Sequence, residues 1–405
     1  MVPWMLTAAD FRAHFPFFAA HPDWVYLDNA ATTHKPKAVI ARELAFYQQE
    51  NSNVHRAAHG LAQQATSAFE QARTTVHQFL RPAADSQLIW TSGTTAGLNQ
   101  LAFGLMGTVL QPGDRILLSA LEHHANIVPW QFHCERFGVL IDVVPLDSEH
   151  RLDLVTFHQL LEKKPKVVSL SHVSNGLGHI QPVEAMVAAA KAIGALTVVD
   201  GAQGVSMGPV NLAQIDCDFY LFSGHKLYGP TGIGALYGKT AALELLRPLL
   251  YGGEMIKKVS FTGTELNDLP YRLEAGTPNI AGALGLAAAV EFLQRFDLVT
   301  LQQHKQHLLK RLYLGCQQIP GLQLLSGLED NAGIVSLVLP GEHPADLATL
   351  LDQQKIAVRA GSHCAMPLFA ALQQSGAVRL SLAAYNTEAE VNLALAALTQ
   401  AVELF

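Results

Sequence analysis

Long hydrophobic runs are missing from this sequence. No segment of its 405 residues approaches the roughly 18 uninterrupted apolar residues of a membrane span. The most apolar helical stretch, residues 280–290, is short and rich in Gly and Ala, so no membrane association is expected. No cationic segment precedes an apolar one at the N-terminus, which therefore does not read as a signal peptide. A basic block is also absent: 27 Lys and Arg stand against 34 Asp and Glu, for a formal charge of −7. Nucleic-acid binding needs a concentrated positive face, so no nucleic-acid partner is expected. Cysteine is sparse. Cys134, Cys217, Cys316 and Cys364 are widely spaced and form no CxxC pair, which indicates neither a zinc site nor a disulfide framework. They read as thiols in a reducing, cytoplasmic compartment, and no metal is expected. Internal repeats and low-complexity linkers are missing as well.

What the chain does have is apolar content: 49% hydrophobic and 15% charged residues can bury a large core, and the length suggests two or three domains. Short apolar runs at 88–91, 115–119, 141–146, 167–172, 196–200, 219–223 and 234–237 alternate with helical patterns such as 183–193. This alternation predicts an α/β fold with a largely parallel sheet covered on both faces. Ligands of such sheets gather beyond the carboxyl ends of the strands. After Gly276 the pattern changes to a long helical region, about 280–318, followed by strand-like runs at 334–339, 356–359 and 378–382. These predict a smaller α+β domain. Thr7-Ala8-Ala9-Asp10 reads as the capped start of a short N-terminal helix, expected to pack against that domain.

The chemistry centres on Ser223-Gly224-His225-Lys226. Lys226 ends an apolar run and precedes the Gly/Pro-rich Tyr228-Gly229-Pro230-Thr231-Gly232. A desolvated lysine loses its proton more easily, and a neutral amine is what a Schiff base with a carbonyl cofactor requires. Ser92-Gly93-Thr94-Thr95 between a strand and a helix start can form an anion site suited to phosphate, although an ordinary helix cap fits the same residues about equally well. Glu122-His123-His124 could supply an imidazole that stacks on a ring, or simply a structural histidine. Asp200 closes a buried strand, where a carboxylate is costly unless paired. A protonated pyridinium nitrogen is one such partner, a helix-capping role is another, and Gln203 is near enough to reach the same ring.

The order of these elements resembles the fold-type I pyridoxal-phosphate enzymes, and within them the class V aminotransferase-like group. A finer resemblance is to the cysteine desulfurases. It is carried by Tyr26-Leu27-Asp28-Asn29-Ala30-Ala31-Thr32-Thr33, Asn53-Val54-His55-Arg56, Asp200-Gly201-Ala202-Gln203, Ser223-Gly224-His225-Lys226-Leu227-Tyr228-Gly229-Pro230, Glu274-Ala275-Gly276-Thr277-Pro278-Asn279 and Arg359-Ala360-Gly361-Ser362-His363-Cys364-Ala365. These matches span residues 23 to 386. The resemblance implies a fold-type I transferase with a mostly parallel seven-stranded sheet. Its large pyridoxal-phosphate domain would comprise residues 22–278, and its small α+β domain residues 1–21 and 279–405.

The resemblance also implies roles. Lys226 would carry pyridoxal 5'-phosphate, Asp200 would face its pyridinium nitrogen, Gln203 its phenolate oxygen, and His123 would stack on the ring. Thr94, Thr95, Ser223 and His225 would hold the phosphate, and Thr277 would complete the phosphate site of the other subunit in a homodimer. His55, Asn175, Arg359 and Arg379 would line the substrate. L-cysteine would give alanine and a persulfide on Cys364, with Lys226 moving the Cα proton and His123 placed to shuttle another. The other three cysteines read as buried, inert thiols, whereas Cys364 has Arg359 and His363 near in sequence as cationic neighbours that would favour its thiolate. The Arg-x-Gly-x-His-Cys loop resembles the group II, SufS/CsdA-like branch, which passes sulfur to a SufE/CsdE-like acceptor for Fe–S cluster or related sulfur metabolism. Residues 252–269 resemble that branch's hairpin, which covers the partner's site. Ser362 stands where SufS-type sequences commonly carry His. Selenocysteine lyase or cysteine sulfinate desulfinase activity is the alternative reading; a transaminase or epimerase on the same fold is a weaker one.

Overall fold

The computed structural model describes residues 8–405. Its first described helix is Ala8–Ala13, and the expected Thr7 cap lies outside the described residues. Seven strands form the central sheet: β1 Ser86–Thr91, β2 Arg115–Ser119, β3 Leu140–Val144, β4 Val167–Ser171, β5 Leu196–Asp200, β6 Phe219–Ser223 and β7 Gly234–Lys239. Their spatial order is β1-β7-β6-β5-β4-β2-β3. Only β7 runs against its neighbours; the other pairings are parallel. Each expected run is found within a few residues. The reason is burial: every residue of β4 and β6 is buried, and a strand covered on both faces reads as a continuous apolar run.

The carboxyl ends of β1, β2, β4, β5 and β6 share one edge of the sheet. Helix Thr94–Leu105 starts directly after β1. A loop after β2 carries His123 into a short 3-10 turn, His124–Asn126. Another short turn, Gly224–Lys226, follows β6. Gly201, after β5, must remain glycine, because a Cβ there would lie 2.0 Å from the Tyr220 ring. The fully buried Tyr220 thus sets how closely the Asp200 turn approaches β6.

The C-terminal part holds a four-stranded antiparallel sheet. Its strands are β8 Gln323–Leu324, β9 Ile334–Val338, β10 Arg359–Gly361 and β11 Ala377–Ser381, in the order β8-β9-β11-β10. The long helical region expected at about 280–318 is found as two helices, Ile280–Leu293 and Leu298–Gln317, separated by a turn. Asp297 starts the second helix by accepting the Val299 N–H at 3.0 Å, a cap strong enough to end one helix and begin another. The single run expected at 356–359 also divides. Ile356–Ala357 pairs in parallel with Val25–Tyr26, and Arg359–Gly361 joins β11.

Val25 and Leu27 share a hydrophobic cluster with Leu308, Leu312, Val335 and Leu380. We retain the division into 22–278 and 1–21 plus 279–405 as a proposal, noting that residues 25–28 are stitched to the C-terminal sheet. The N-terminal helix does reach this part: Arg12 donates to the Tyr385 carbonyl at 2.9 Å and pairs with Glu390 at 2.8 Å. Phe11 packs on Phe292 and Phe296. Within 252–269, the strands Ile256–Ser260 and Gly263–Leu266 make an antiparallel hairpin, with Phe261 exposed at its tip.

Candidate active site

The shared strand edge and the C-terminal sheet enclose a cavity of about 190 Å³. It gathers Thr94, Thr95, His123, Asn175, Asp200, Gln203, Ser223, His225, Lys226, Arg359 and Arg379, residues that stand up to 285 positions apart in the chain (379 − 94). His363, from the cysteine loop, lines it too. Thr277, His55 and Cys364 do not; Cys364 meets the lining through Arg359, whose Nη2 lies 3.7 Å from its sulfur. Thr277 is exposed outside this cavity. His55 is taken up by carboxylates instead: its Nε2 lies 3.0 Å from Glu70 and its Nδ1 3.7 Å from Glu254, at the base of the hairpin. Its expected place beside the substrate is therefore not found within its own chain.

Lys226 is half-buried and lines the cavity. Burial lowers its pKa to about 8; Asp200 works in the opposite direction, and Arg379 and Arg359 add to the lowering. Asp200 is 5% exposed, and its Oδ1 accepts the Ala202 N–H at 2.9 Å. Burial raises its pKa, opposed by that backbone bond and by the Lys226 charge. A buried carboxylate with one backbone donor retains the capacity to accept from a cation.

At the opposite polar end, the Ser223 hydroxyl accepts the Thr94 N–H at 2.9 Å and lies 2.9 Å from the Thr94 hydroxyl. Gly93 precedes them at φ +146°, and a Cβ there would come within 3.1 Å of Ser223 Oγ. This is a close backbone cradle at a helix N-terminus, where the first N–H groups lack intrahelical acceptors.

His123 accepts the Ala125 N–H at Nδ1 (3.0 Å), so the proton of the neutral ring belongs on Nε2. Burial, with Lys226 and His124 contributing, lowers its pKa to about 3. Beneath it Glu122 is fully buried, accepting from the Ser171 N–H at 2.9 Å and the Asn126 amide at 2.7 Å, and holding the Ser119 hydroxyl at 2.5 Å. Burial pushes Glu122 up to about 7. The Gln203 amide donates to the Ala30 carbonyl at 2.7 Å.

The arginines form the wall beside Cys364. Arg359 and Arg379 face each other across the β10–β11 ladder, a like-charge placement that costs stability unless anions offset it. Arg379, only 1% exposed, donates to the Asn175 carbonyl at 2.9 Å and to Asp28 at 3.1 Å, with its Nε left unpartnered. Arg359 Nη2 donates to Cys364 Sγ at 3.7 Å. Cys364 is half-buried, while the other three thiols are buried; burial pushes Cys134 and Cys316 up to about 12, and Cys217 higher still.

His363 is not the cation expected beside Cys364. It is buried, its Nε2 donates to the Ala377 carbonyl at 3.1 Å, and burial together with the two arginines lowers its pKa to about 3. The guanidinium of Arg359 is the positive group that touches the sulfur. Three contributors had no assigned part in the sequence reading: Asp28, which anchors Arg379; Glu122, beneath His123; and His124. Asp28 lies two residues after the short strand Val25–Tyr26, but only the tertiary pairing shows which side chain it meets.

The donor set fits a pyridine-ring phosphate ester with an aldehyde: a partly deprotonated lysine, a buried carboxylate and a hydroxyl-lined helix N-terminus share one cavity. Among the described residues no helix is long and apolar enough to cross a membrane. Comparison with known proteins points the same way. The aminotransferase class-V family profile matches residues 25–393. A probable cysteine desulfurase of Vibrio cholerae is 47% identical over 99% of this chain and all of its own. A cysteine desulfurase of Yersinia pestis is 42% identical over 97% of this chain and 98% of its own. Among solved structures, the cysteine desulfurase CsdA of Escherichia coli superposes with a TM-score of 0.91 at 39% identity, covering 99% of both chains. The cysteine desulfurase of Thermococcus onnurineus gives 0.94 at 36% identity, with the same coverage.

Proposed function

The chain belongs to the aminotransferase class-V family, and within it to the cysteine desulfurases, and from that premise we propose that it holds pyridoxal 5'-phosphate on Lys226 and moves sulfur from L-cysteine to Cys364. The observation that carries this reading is the meeting of Lys226, Asp200 and the Thr94–Ser223 cradle in one cavity whose wall includes Arg359, in contact with Cys364.

Thr94, Thr95, Ser223 and His225 would hold the phosphate, Asp200 the ring nitrogen, Gln203 the phenolate oxygen and His123 the ring face. When bound, the cofactor supplies an electron sink for the carbon that loses its proton. The protein's residues do the rest. Arg379, with Asn175, orients the substrate carboxylate; its fork is held in place by Asp28, and its unpartnered Nε is free to donate. Lys226, with its amine lowered to about 8, takes the Cα proton. Arg359 orients Cys364, whose sulfur bonds to the substrate sulfur as the carbon–sulfur bond breaks. Cysteine and a thiol thus become alanine and a persulfide, with no outside oxidant.

The acceptor would be a SufE/CsdE-like protein. Support comes from the half-buried Cys364 and the 63% exposed Met366 two residues on, which leave the sulfur near a surface. A homodimer is supported by Thr277, exposed outside its own cavity, by the hairpin's exposed Phe261 and Val259, and by Ile40, Leu44 and Tyr47 on one exposed helical segment. Alanine release from cysteine tests the function: Lys226→Ala should abolish it. Cys364→Ala should abolish it for cysteine but spare selenocysteine, whose selenide leaves without a protein thiol. Equal loss on both substrates would count against Cys364 as the nucleophile.

A further inference from the structure

The Cys364 loop adopts an unfavourable backbone. His363 and Cys364 are consecutive non-glycine residues in the left-handed region, at φ +50° and +58°, after Gly361 at φ +110°. Such residues persist only where surrounding contacts fix them. Asn175 donates to the His363 carbonyl at 2.6 Å, and His363 is tied to Ala377. Arg359 reaches the Cys364 sulfur, the Ala365 N–H closes the loop on the Ser362 carbonyl at 2.8 Å, and one further residue holds it twice: the His124 N–H donates to the Cys364 carbonyl at 2.7 Å, and His124 Nε2 accepts the Met366 N–H at 2.9 Å.

The second bond answers a local deficiency. Met366 opens helix Met366–Ala371, whose N-cap, Ala365, provides no side-chain acceptor. A helix's first N–H groups have no intrahelical partner, and here an imidazole 242 residues away in sequence supplies one. Cys364 is therefore gripped on both sides by the residue that follows His123. We propose that His124 is a positioning residue, a latch that holds the Cys364 loop against the cavity so that the thiol meets the substrate's sulfur. The proposal rests on Cys364 being the sulfur-accepting nucleophile. His124 acts through that loop and touches neither substrate nor cofactor. The bond to Met366 requires its Nε2 lone pair, and so the neutral ring with the proton on Nδ1.

The test uses the holoenzyme and two substrates. His124→Ala removes the Met366 bond and should lower kcat for alanine release from L-cysteine by roughly fivefold, the net scale of one lost hydrogen bond, with KM little changed. Selenocysteine turnover, which does not need the loop, should stay within about twofold. His124→Gln, whose amide oxygen can accept the same N–H, should recover part of the cysteine rate. Alkylation of Cys364 by iodoacetamide should be faster in His124→Ala than in the parent protein. A parallel loss on both substrates would show general damage and overturn the latch, as would an unchanged cysteine rate or a glutamine variant no better than alanine. Cys364→Ala, run alongside, separates the two ideas. If it retains cysteine turnover, the nucleophile assignment itself fails; if it loses only cysteine turnover, the His124 results judge the latch alone.

Discussion

The lowered pKa of Lys226 makes a quantitative prediction about the cofactor-free protein. At pH 7 an amine titrating at about 8 is about one-tenth neutral, whereas one at the ordinary 10.5 is about 0.03% neutral. The difference in reactive amine is about 300-fold. It comes first from burial and second from the arginines, with Asp200 holding the value up. The perturbation is pH, scanned from 6 to about 10 on protein stripped of cofactor. The assay is competitive labelling with an acylating reagent, read peptide by peptide by mass spectrometry, with the exposed Lys164 and Lys258 as internal references. Labelling of Lys226 should rise about tenfold per pH unit and flatten near 8. Uptake of pyridoxal phosphate, followed by visible absorbance, should show the same profile. A Lys226 labelling curve that runs parallel to the two references across the range would refute the desolvation argument, because the cavity would then be no drier than the surface.

Other outcomes follow from particular contacts. Lys305 is 5% exposed, its amine has a single 3.5 Å bond to the Ser206 carbonyl, and burial lowers it to about 8 from 10.5, which costs the fold about 3 kcal/mol while the buried amine is charged. Lys305→Met should therefore raise the urea midpoint below pH 8, with the gain fading as the pH approaches 10.5; a destabilised or pH-independent variant would contradict this. Gly201→Ala, whose Cβ would strike the Tyr220 ring at 2.0 Å, should displace the Asp200 turn and lower retained cofactor by at least tenfold in equilibrium dialysis. Arg379→Lys cannot reproduce two directed donations to Asp28 and Asn175 together with a free third donor; it should raise KM for cysteine about tenfold or more, with a smaller change in kcat.

Much of the large sheet could be read from the sequence because its strands are covered on both faces. Phe219–Ser223 is an unbroken apolar run closed by a polar residue, and Leu196–Asp200 is a buried, mostly apolar run closed by another; that closing residue is where a parallel sheet exposes its carboxyl edge. Lys226, Asp200 and the Thr94 turn were legible for the same reason. Reading the small domain was harder. Residues 280–318 read as one helical region, and the break inside it is made by the turn after Leu293 and the cap formed by Asp297. The run at 356–359 divides between two different partners, a choice made by strands up to 20 residues distant on one side (379 − 359) and more than 300 on the other.

The sequence by itself led to the family, and through that resemblance to the expected cofactor and reaction class, because Lys226, Asp200 and the Thr94 turn each close a local element whose pattern is visible within a few residues. The tertiary structure decided how Cys364 is held. The pairing of Arg359 with Arg379 across a ladder, the anchoring of Arg379 by Asp28, the neutrality of His363 and the grip of His124 on residues 364 and 366 all join segments far apart in the chain. Such contacts depend on strand register, burial and backbone dihedral angles, which no short stretch of sequence specifies.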